Sequence, residues 1–286
     1  MVTTYILITA SLVAINCALL GCYLVLRKMA MVSDAISHAV LPGIVLAFLL
    51  TGSREGLPML IGAGILGVLT TVIIEFLHQK GKLQTDASIG ITFTFLFAIG
   101  IILLSRFAGK VDLDQDCVLY GEIAYVPLNL WVTESGINLG PRAIWMLGGV
   151  FLIIISFVVF AFKELLATTF DPGYSVAIGI SATLWHYVLM SLVSFTTVAS
   201  FESVGAILVV AFLIVPPAAA YLLTDNFRKM LLLSCAIGVA SAFSGYYIAG
   251  VTDGSIAASM AVMTGIFFGM AFAYSKFKVQ SLKFKI

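Results

Sequence analysis

The sequence predicts an all-α integral membrane protein with about eight or nine transmembrane helices. Its 286 residues are 61% hydrophobic and only 10% charged. The apolar residues fall in runs of roughly 20, the length that an α-helix needs to cross a bilayer. No linker, heptad pattern or low-complexity tract divides these runs. We therefore expect a single transmembrane domain over residues 1–286, and the composition excludes a soluble protein.

The apolar segments can be placed in chain order. They are expected at about 5–26, 31–50, 57–77, 87–105, 142–162, 181–199, 204–223, 230–250 and 255–275. The first 26 residues carry no charge, so they lack the basic start of a secretory signal and are expected to stay in the membrane. Two segments are expected to be short, broken or re-entrant. Pro216-Pro217 should break or kink the seventh, because two successive backbone N–H donors are missing there.

The basic residues indicate how the chain is oriented. If the first segment runs from outside to inside, the cytoplasmic side receives Arg27, Lys28, Lys80, Lys82, Lys163, Arg228, Lys229, Lys276, Lys278, Lys283 and Lys285. Only Arg54, Arg106, Lys110 and Arg142 then lie outside. The positive-inside rule therefore predicts an outer N-terminus and a cytoplasmic C-terminus.

The connection after the fifth segment, about 163–180, is longer than a turn requires. It reads "KELLATTFDPGYSVAIGI" and is more apolar than a solvated connector needs to be. One alternative is a plain connector. The other is a surface that docks onto a soluble partner, because exposed apolar patches usually mark interaction sites.

The outer connection, about 106–141, combines clustered acids with aromatic residues. Its carboxylates are Asp112, Asp114, Asp116 and Glu122, and its aromatic residues include Tyr120, Tyr125 and Trp131. An acidic outer vestibule would concentrate cations. A solvated acidic loop without a further role is the alternative.

Asp34 and His38 form the most informative pair in the chain. They lie four residues apart in "SDAISHAV", so a helix places both side chains on one face. Ionisable groups within the membrane typically face a bundle interior and have a function. A carboxylate oxygen and an imidazole nitrogen suit Mn²⁺, Fe²⁺ or Zn²⁺ better than copper. The alternative is a structural hydrogen bond between the two that fixes a kink near Pro42.

The remaining motifs narrow the function further. His78 is expected in a solvated turn, and His186 is expected to be a packed hydrogen-bonding group. The chain contains no phosphate-binding GxxxxGK[ST] motif, so another subunit must hydrolyse ATP if transport is ATP-driven. The sequence has no Ser/His/Asp order and no HExxH motif that would indicate an enzyme. No permanently bound cofactor is expected.

Four stretches resemble the membrane permease subunit of the manganese/zinc/iron ABC importers. They are "YLVLRKMAMVSDAISHAVLPGIVLAFLL", "TDASIGITFTFLFAIGI", "FDPGYSVAIGI" and "FESVGAILVVAFLIVPPAAAYLLT". The resemblance implies a vitamin-importer-like (type II) all-helical permease in a bacterial cell membrane. It also implies three kinds of partner: cytoplasmic ABC ATPases, a second permease copy or paralogue, and an extracytoplasmic metal-binding protein.

The resemblance assigns roles to particular positions. Asp34 and His38 take the place of the family's metal-path residues. The ATPase-coupling segment falls at about 164–180 and includes Glu164, Leu165, Leu166, Phe170, Asp171, Pro172 and Gly173. "PPAAAYLLT" and the acidic outer loop resemble the manganese and iron branches of the family more than the zinc branch. The expected cargo is Mn²⁺, with Fe²⁺ or Zn²⁺ as alternatives. A proton-coupled secondary metal carrier, with Asp34 and His38 as a proton relay, is the alternative function, and a membrane scaffold is a third.

Overall fold

The computed structural model describes residues 2–52, 56–107, 123–132 and 138–283, and these are almost entirely helical. The helices are α1 (Val2–Leu26), α2 (Val32–Ala39), α3 (Leu41–Thr51), α4 (Gly56–Gln79), α5 (Thr85–Phe107), α6 (Arg142–Phe160), α7 (Phe162–Phe170), α8 (Pro172–Ala177), α9 (Ala182–Val204), α10 (Ala206–Leu223), α11 (Phe227–Thr252) and α12 (Ile256–Lys283). Between α5 and α6 lie a 3₁₀ helix, Ile123–Leu128, and two antiparallel strands, β1 (Leu130–Val132) and β2 (Asn138–Pro141). This hairpin is a small departure from the expected all-α fold.

Nine stretches within the described ranges are long and apolar enough to cross a membrane, which confirms the expected spans and their order. All but one are single helices. The exception, Val32–Thr51, consists of α2 and α3. The helix is interrupted because Pro42 has no N–H to donate to the His38 carbonyl. The next two N–H groups, of Gly43 and Ile44, both donate to the Val40 carbonyl, at 2.9 and 3.1 Å.

The bundle consists of two groups of helices. One group contains α1, α10, α11 and α12, and the other contains α2, α3, α4 and α5. α9 lies between them and contacts α1, α2, α4 and α10, while α6 packs mainly against α1. The short helix α2 contacts α4, α5, α9 and α10 and therefore lies at the boundary between the two groups.

The Pro216-Pro217 pair, expected to break or kink the seventh span, does not break it, since α10 continues from Ala206 to Leu223. Pro217 leaves the Leu213 carbonyl without its helical donor. Gly21 of α1 approaches this turn so closely that an added Cβ atom would overlap the Leu213 carbonyl and lie 2.8 Å from the Pro217 ring. Close packing of a neighbouring helix therefore accompanies the proline turn, which is how membrane helices tolerate such turns.

We expect Gly21→Val to lower the thermal unfolding midpoint of the detergent-solubilised protein. The new side chain would collide with the α10 backbone, and overpacking typically costs about 1–3 kcal/mol. Gly148→Val in α6 is the control, because nothing lies within 4 Å of a Cβ atom added there. Equal midpoints for the two variants, measured by thermal-shift assay, would contradict the close α1–α10 approach.

Candidate functional site

The metal-ligand pair expected from the sequence lies on the open face of α2. The opposite face is buried and comprises Val32, Ser33, Ala35, Ile36 and Ala39. Asp34 Oδ1 lies 3.8 Å from His38 Nε2, and the side chains are 47% and 33% exposed, respectively. This separation is too long for a hydrogen bond, so the two side chains do not form a kink-fixing bond. A transition metal ion lies about 2.0–2.2 Å from such ligand atoms, so the pair can share one ion.

Aromatic rings of α5 position the imidazole. The His38 ring packs against Phe93 and Phe97, and both ring centroids lie 5.7 Å from that of His38. Phe93 and Phe97 are one helical turn apart and so form a continuous surface. The histidine thus has apolar rings on one side and an open face on the other.

Immediately after His38 the chain is anchored by close backbone contacts. A Cβ atom added to Gly43 of α3 would lie 2.5 Å from the Gly62 carbonyl oxygen of α4. A Cβ atom added to Gly100 of α5 would lie 2.8 Å from the Pro42 ring. These contacts hold α3 against both α4 and α5, so the ligand pair has a fixed support on its C-terminal side.

Asp34 and His38 provide too few ligands for permanent metal binding. Across the part of the chain that the structure describes, no cluster of three or more His, Cys, Asp or Glu side chains could hold an ion. Conduction requires a site that binds its ion well enough to admit it and weakly enough to release it. The pair therefore suits transient binding of a moving ion.

The segment expected to couple to an ATPase forms two short helices, α7 and α8, in place of a loop. Asp171 caps α8, accepting a hydrogen bond from the Tyr174 N–H at 2.9 Å. Pro172 occupies the first turn of α8 and Gly173 follows it within the helix. Just after α8, Gly179 has a positive φ of 85°, a conformation that glycine adopts without steric cost.

The exposed surface of α7 and α8 differs in one respect from the expectation. Its large exposed apolar side chains are Phe170, Tyr174, Val176 and Ile178. Leu166 and Glu164 are half-buried. Leu165 does not belong to this surface, because its side chain is fully buried and points into the bundle.

A polar cluster that the sequence did not predict lies near the α7 end of the bundle. His186 Nε2 of α9 is 3.1 Å from Glu75 Oε2 of α4, and the side chains are 15% and 11% exposed. Arg27, just after α1, approaches His186 Nδ1 at 3.3 Å. Burial lowers the pKa of the Arg27 guanidinium, while nearby Tyr23 and Glu75 raise it. His186 is thus a packed hydrogen-bonding group, as expected. Glu75 was missed, although a carboxylate inside an apolar segment indicates a buried partner.

The carboxylates of the expected outer vestibule, Asp112, Asp114, Asp116 and Glu122, lie outside the described residues. Their expected contribution to metal delivery therefore rests on the sequence.

The nine candidate spans of the described ranges define a multi-pass membrane protein. The chain matches the ABC 3 transport family over residues 2–275. It is 52% identical over 271 residues to the manganese transport system membrane protein MntD of Bacillus subtilis. This alignment covers 95% of this chain and 91% of that protein. It is 41% identical over 273 residues to the zinc transport system membrane protein TroD of Treponema pallidum, covering 96% and 74% of the two chains.

A solved structure agrees with these sequence relationships. PsaBC from Streptococcus pneumoniae in complex with Fab matches with a TM-score of 0.77 and 33% identity, over 95% of this chain and 91% of that chain. The chain therefore belongs to the ABC 3 transport family, and the resemblance drawn from its sequence motifs is confirmed.

Proposed function

We propose that this chain is the permease subunit of an ATP-driven importer of divalent transition metal ions, with Mn²⁺ as its main cargo. The observation that carries the proposal is the Asp34–His38 pair, which presents one oxygen and one nitrogen ligand on the open face of a broken span. This ligand set suits Mn²⁺, Fe²⁺ and Zn²⁺. The 52% identity to a manganese transport protein favours Mn²⁺ among them.

The proposed complex has three further parts. ATP hydrolysis takes place on cytoplasmic ATPase subunits that dock at α7 and α8, where Phe170, Tyr174 and Val176 are exposed. A second permease, identical or paralogous, completes the path that the open face of α2 borders. An extracytoplasmic binding protein delivers the metal ion. This arrangement places the N-terminus outside and the C-terminus in the cytoplasm, as the basic residues indicate.

Uptake by proteoliposomes tests the proposal. The permease is purified with its ATPase, reconstituted, and supplied with the metal-loaded binding protein and ATP. We expect Mn²⁺ uptake that requires ATP hydrolysis and exceeds uptake of Fe²⁺ or Zn²⁺. Uptake driven by a proton gradient without ATP would instead establish the secondary carrier, in which Asp34 and His38 relay protons.

The acidic outer loop should assist metal delivery through long-range attraction. Replacing Asp112, Asp114 and Asp116 together by Asn is expected to slow uptake by about 10-fold at low ionic strength, the lower range of electrostatic steering effects. The effect should shrink near physiological salt, because exposed charges are screened beyond about 8 Å there. Initial uptake rates and binding-protein affinity at several salt concentrations measure this. A triple variant that matches the unmodified protein at every salt concentration would identify the loop as a solvated surface only.

A further inference from the structure

His186 bridges Arg27 and Glu75 as a neutral imidazole with a defined proton position. A guanidinium group only donates hydrogen bonds, so the Nδ1 atom 3.3 Å from Arg27 must accept. The ring proton then lies on Nε2 and is donated to Glu75 Oε2, 3.1 Å away. The other carboxylate oxygen of Glu75 accepts a hydrogen bond from Gln79. A cation, a neutral ring and a carboxylate thus form one hydrogen-bonded row without excess charge.

The same guanidinium also holds α7. Arg27 Nε donates to Thr169 Oγ1 and Arg27 Nη2 donates to Thr168 Oγ1, each at 3.1 Å. Thr168 is buried, so its contact with Arg27 is shielded from solvent. Arg27 therefore links α7, the helix proposed to face the ATPase, to His186 of α9. His186 in turn links α9 to Glu75 of α4.

The two helices at the far end of this row support the metal-ligand pair. α4 and α9 both pack against α2, which carries Asp34 and His38. They meet tightly: a Cβ atom added to Gly67 of α4 would overlap the Ser194 side chain of α9 and lie 3.4 Å from Ile36 of α2. With so little free space, a shift of α4 or α9 toward α2 is expected to displace α2.

We infer that Arg27, His186 and Glu75 are positioning residues that transmit movement of α7 to α4 and α9, and through them to the metal-ligand pair on α2. The inference rests on the proposed docking of an ATPase at α7 and α8. The alternative, that this row is a second metal-binding site, is disfavoured because both imidazole nitrogens already have hydrogen-bond partners and Arg27 repels a cation.

Substitutions of His186 separate hydrogen bonding from packing. His186→Gln retains an acceptor for Arg27 and a donor for Glu75, whereas His186→Leu keeps comparable volume and removes both. The readout is the number of Mn²⁺ ions transported per ATP hydrolysed, in proteoliposomes containing the assembled complex. We expect His186→Leu to assemble and hydrolyse ATP, but to transport at least about 10-fold fewer ions per ATP, within the usual range of coupling between sites. His186→Gln should stay close to the unmodified ratio.

Substitutions on α7 keep the test informative if His186→Leu does not fold. Thr168→Val with Thr169→Val removes the two acceptors that α7 offers Arg27, at almost constant shape, and should lower the ratio as His186→Leu does. Adding His186→Leu to this pair should have little further effect, because all three changes interrupt the same row. An unchanged ratio, equal losses in the Gln and Leu variants, or additive losses would overturn the inference.

Two further measurements separate a metal site at His186 from a failure of ATPase docking. If equilibrium dialysis with Mn²⁺ alone shows an ion bound by the unmodified protein and lost in His186→Leu, the row is a metal site and the inference is wrong. Failure of the docking proposal has a different sign: the ATPase still co-purifies with both the Tyr174→Glu and the Val176→Glu variants. The ion-to-ATP ratio is measured only on complexes that have assembled, so the two failures do not overlap.

Discussion

Asp34→Asn and His38→Gln should each lower Mn²⁺ uptake by at least about 100-fold while the protein still inserts and assembles. Loss of even an outer partner of a metal ligand typically lowers affinity by about 10–100-fold, and here one of only two ligands is itself altered. The half-exposed positions of both side chains predict little loss of stability. Both replacements nearly preserve size, while Asn removes the negative charge of the carboxylate and Gln removes the ring nitrogen that would contact the ion.

Ser37→Ala is the matched control for these two variants. Ser37 is half-buried in α2, and its hydroxyl donates only to the Asp34 backbone carbonyl, at 2.6 Å. Its removal should leave uptake near normal. Radiotracer uptake is compared at equal amounts of assembled complex. Normal uptake by both the Asp34 and the His38 variant would show that the ion takes another route.

Tyr174→Glu and Val176→Glu should separate the permease from its ATPase. Both side chains are largely exposed on α8, and a charge at the centre of an apolar contact typically weakens binding by about 2 kcal/mol or more, roughly 30-fold. Phe170→Glu is less specific, since the Phe170 ring also packs edge-on against Phe227 at 6.2 Å. Co-purification of the ATPase with tagged permease measures the effect.

The conservative replacement Tyr174→Phe controls for the α8 variants. It keeps the apolar ring and removes only an exposed hydroxyl, so the complex should remain intact. Membrane insertion, followed by extraction and size-exclusion chromatography of the permease alone, should be the same for all the variants. An ATPase that remains bound to both glutamate variants would place the docking surface elsewhere on the chain.

The spans and the shared face of Asp34 and His38 could be predicted because each depends on local sequence. Runs of apolar residues define the nine candidate spans in the described ranges without reference to other helices. The four-residue spacing of Asp34 and His38 places them on one face of any helix. The apolar content of the segment after α6 likewise indicates an exposed surface without knowledge of its structure.

The features that could not be predicted depend on contacts between distant parts of the chain. Whether Pro216-Pro217 breaks its helix depends on the packing around it, where Gly21 lies close. Leu165 is buried because of how α7 lies on the bundle, which the apolar content of its segment does not reveal. In both cases the deciding contact comes from another helix.

The partners of Glu75 were beyond local prediction for the same reason. A buried carboxylate predicts that some partner exists. Its identity, the imidazole of His186 backed by Arg27, follows only from the way α1, α4 and α9 converge at one end of the bundle.

The anchoring of α3 limits how the metal preference of this protein can diverge or be redesigned. Gly43, Gly62 and Gly100 have no room for a side chain, because each faces the backbone or a proline ring of a neighbouring helix. Substitution at these positions would displace a helix before it altered the coordination of an ion. If the proposed pair binds the ion, we expect evolutionary or engineered changes in selectivity at α2 itself and at the Phe93 and Phe97 rings beside His38, where size and polarity can vary without moving the scaffold.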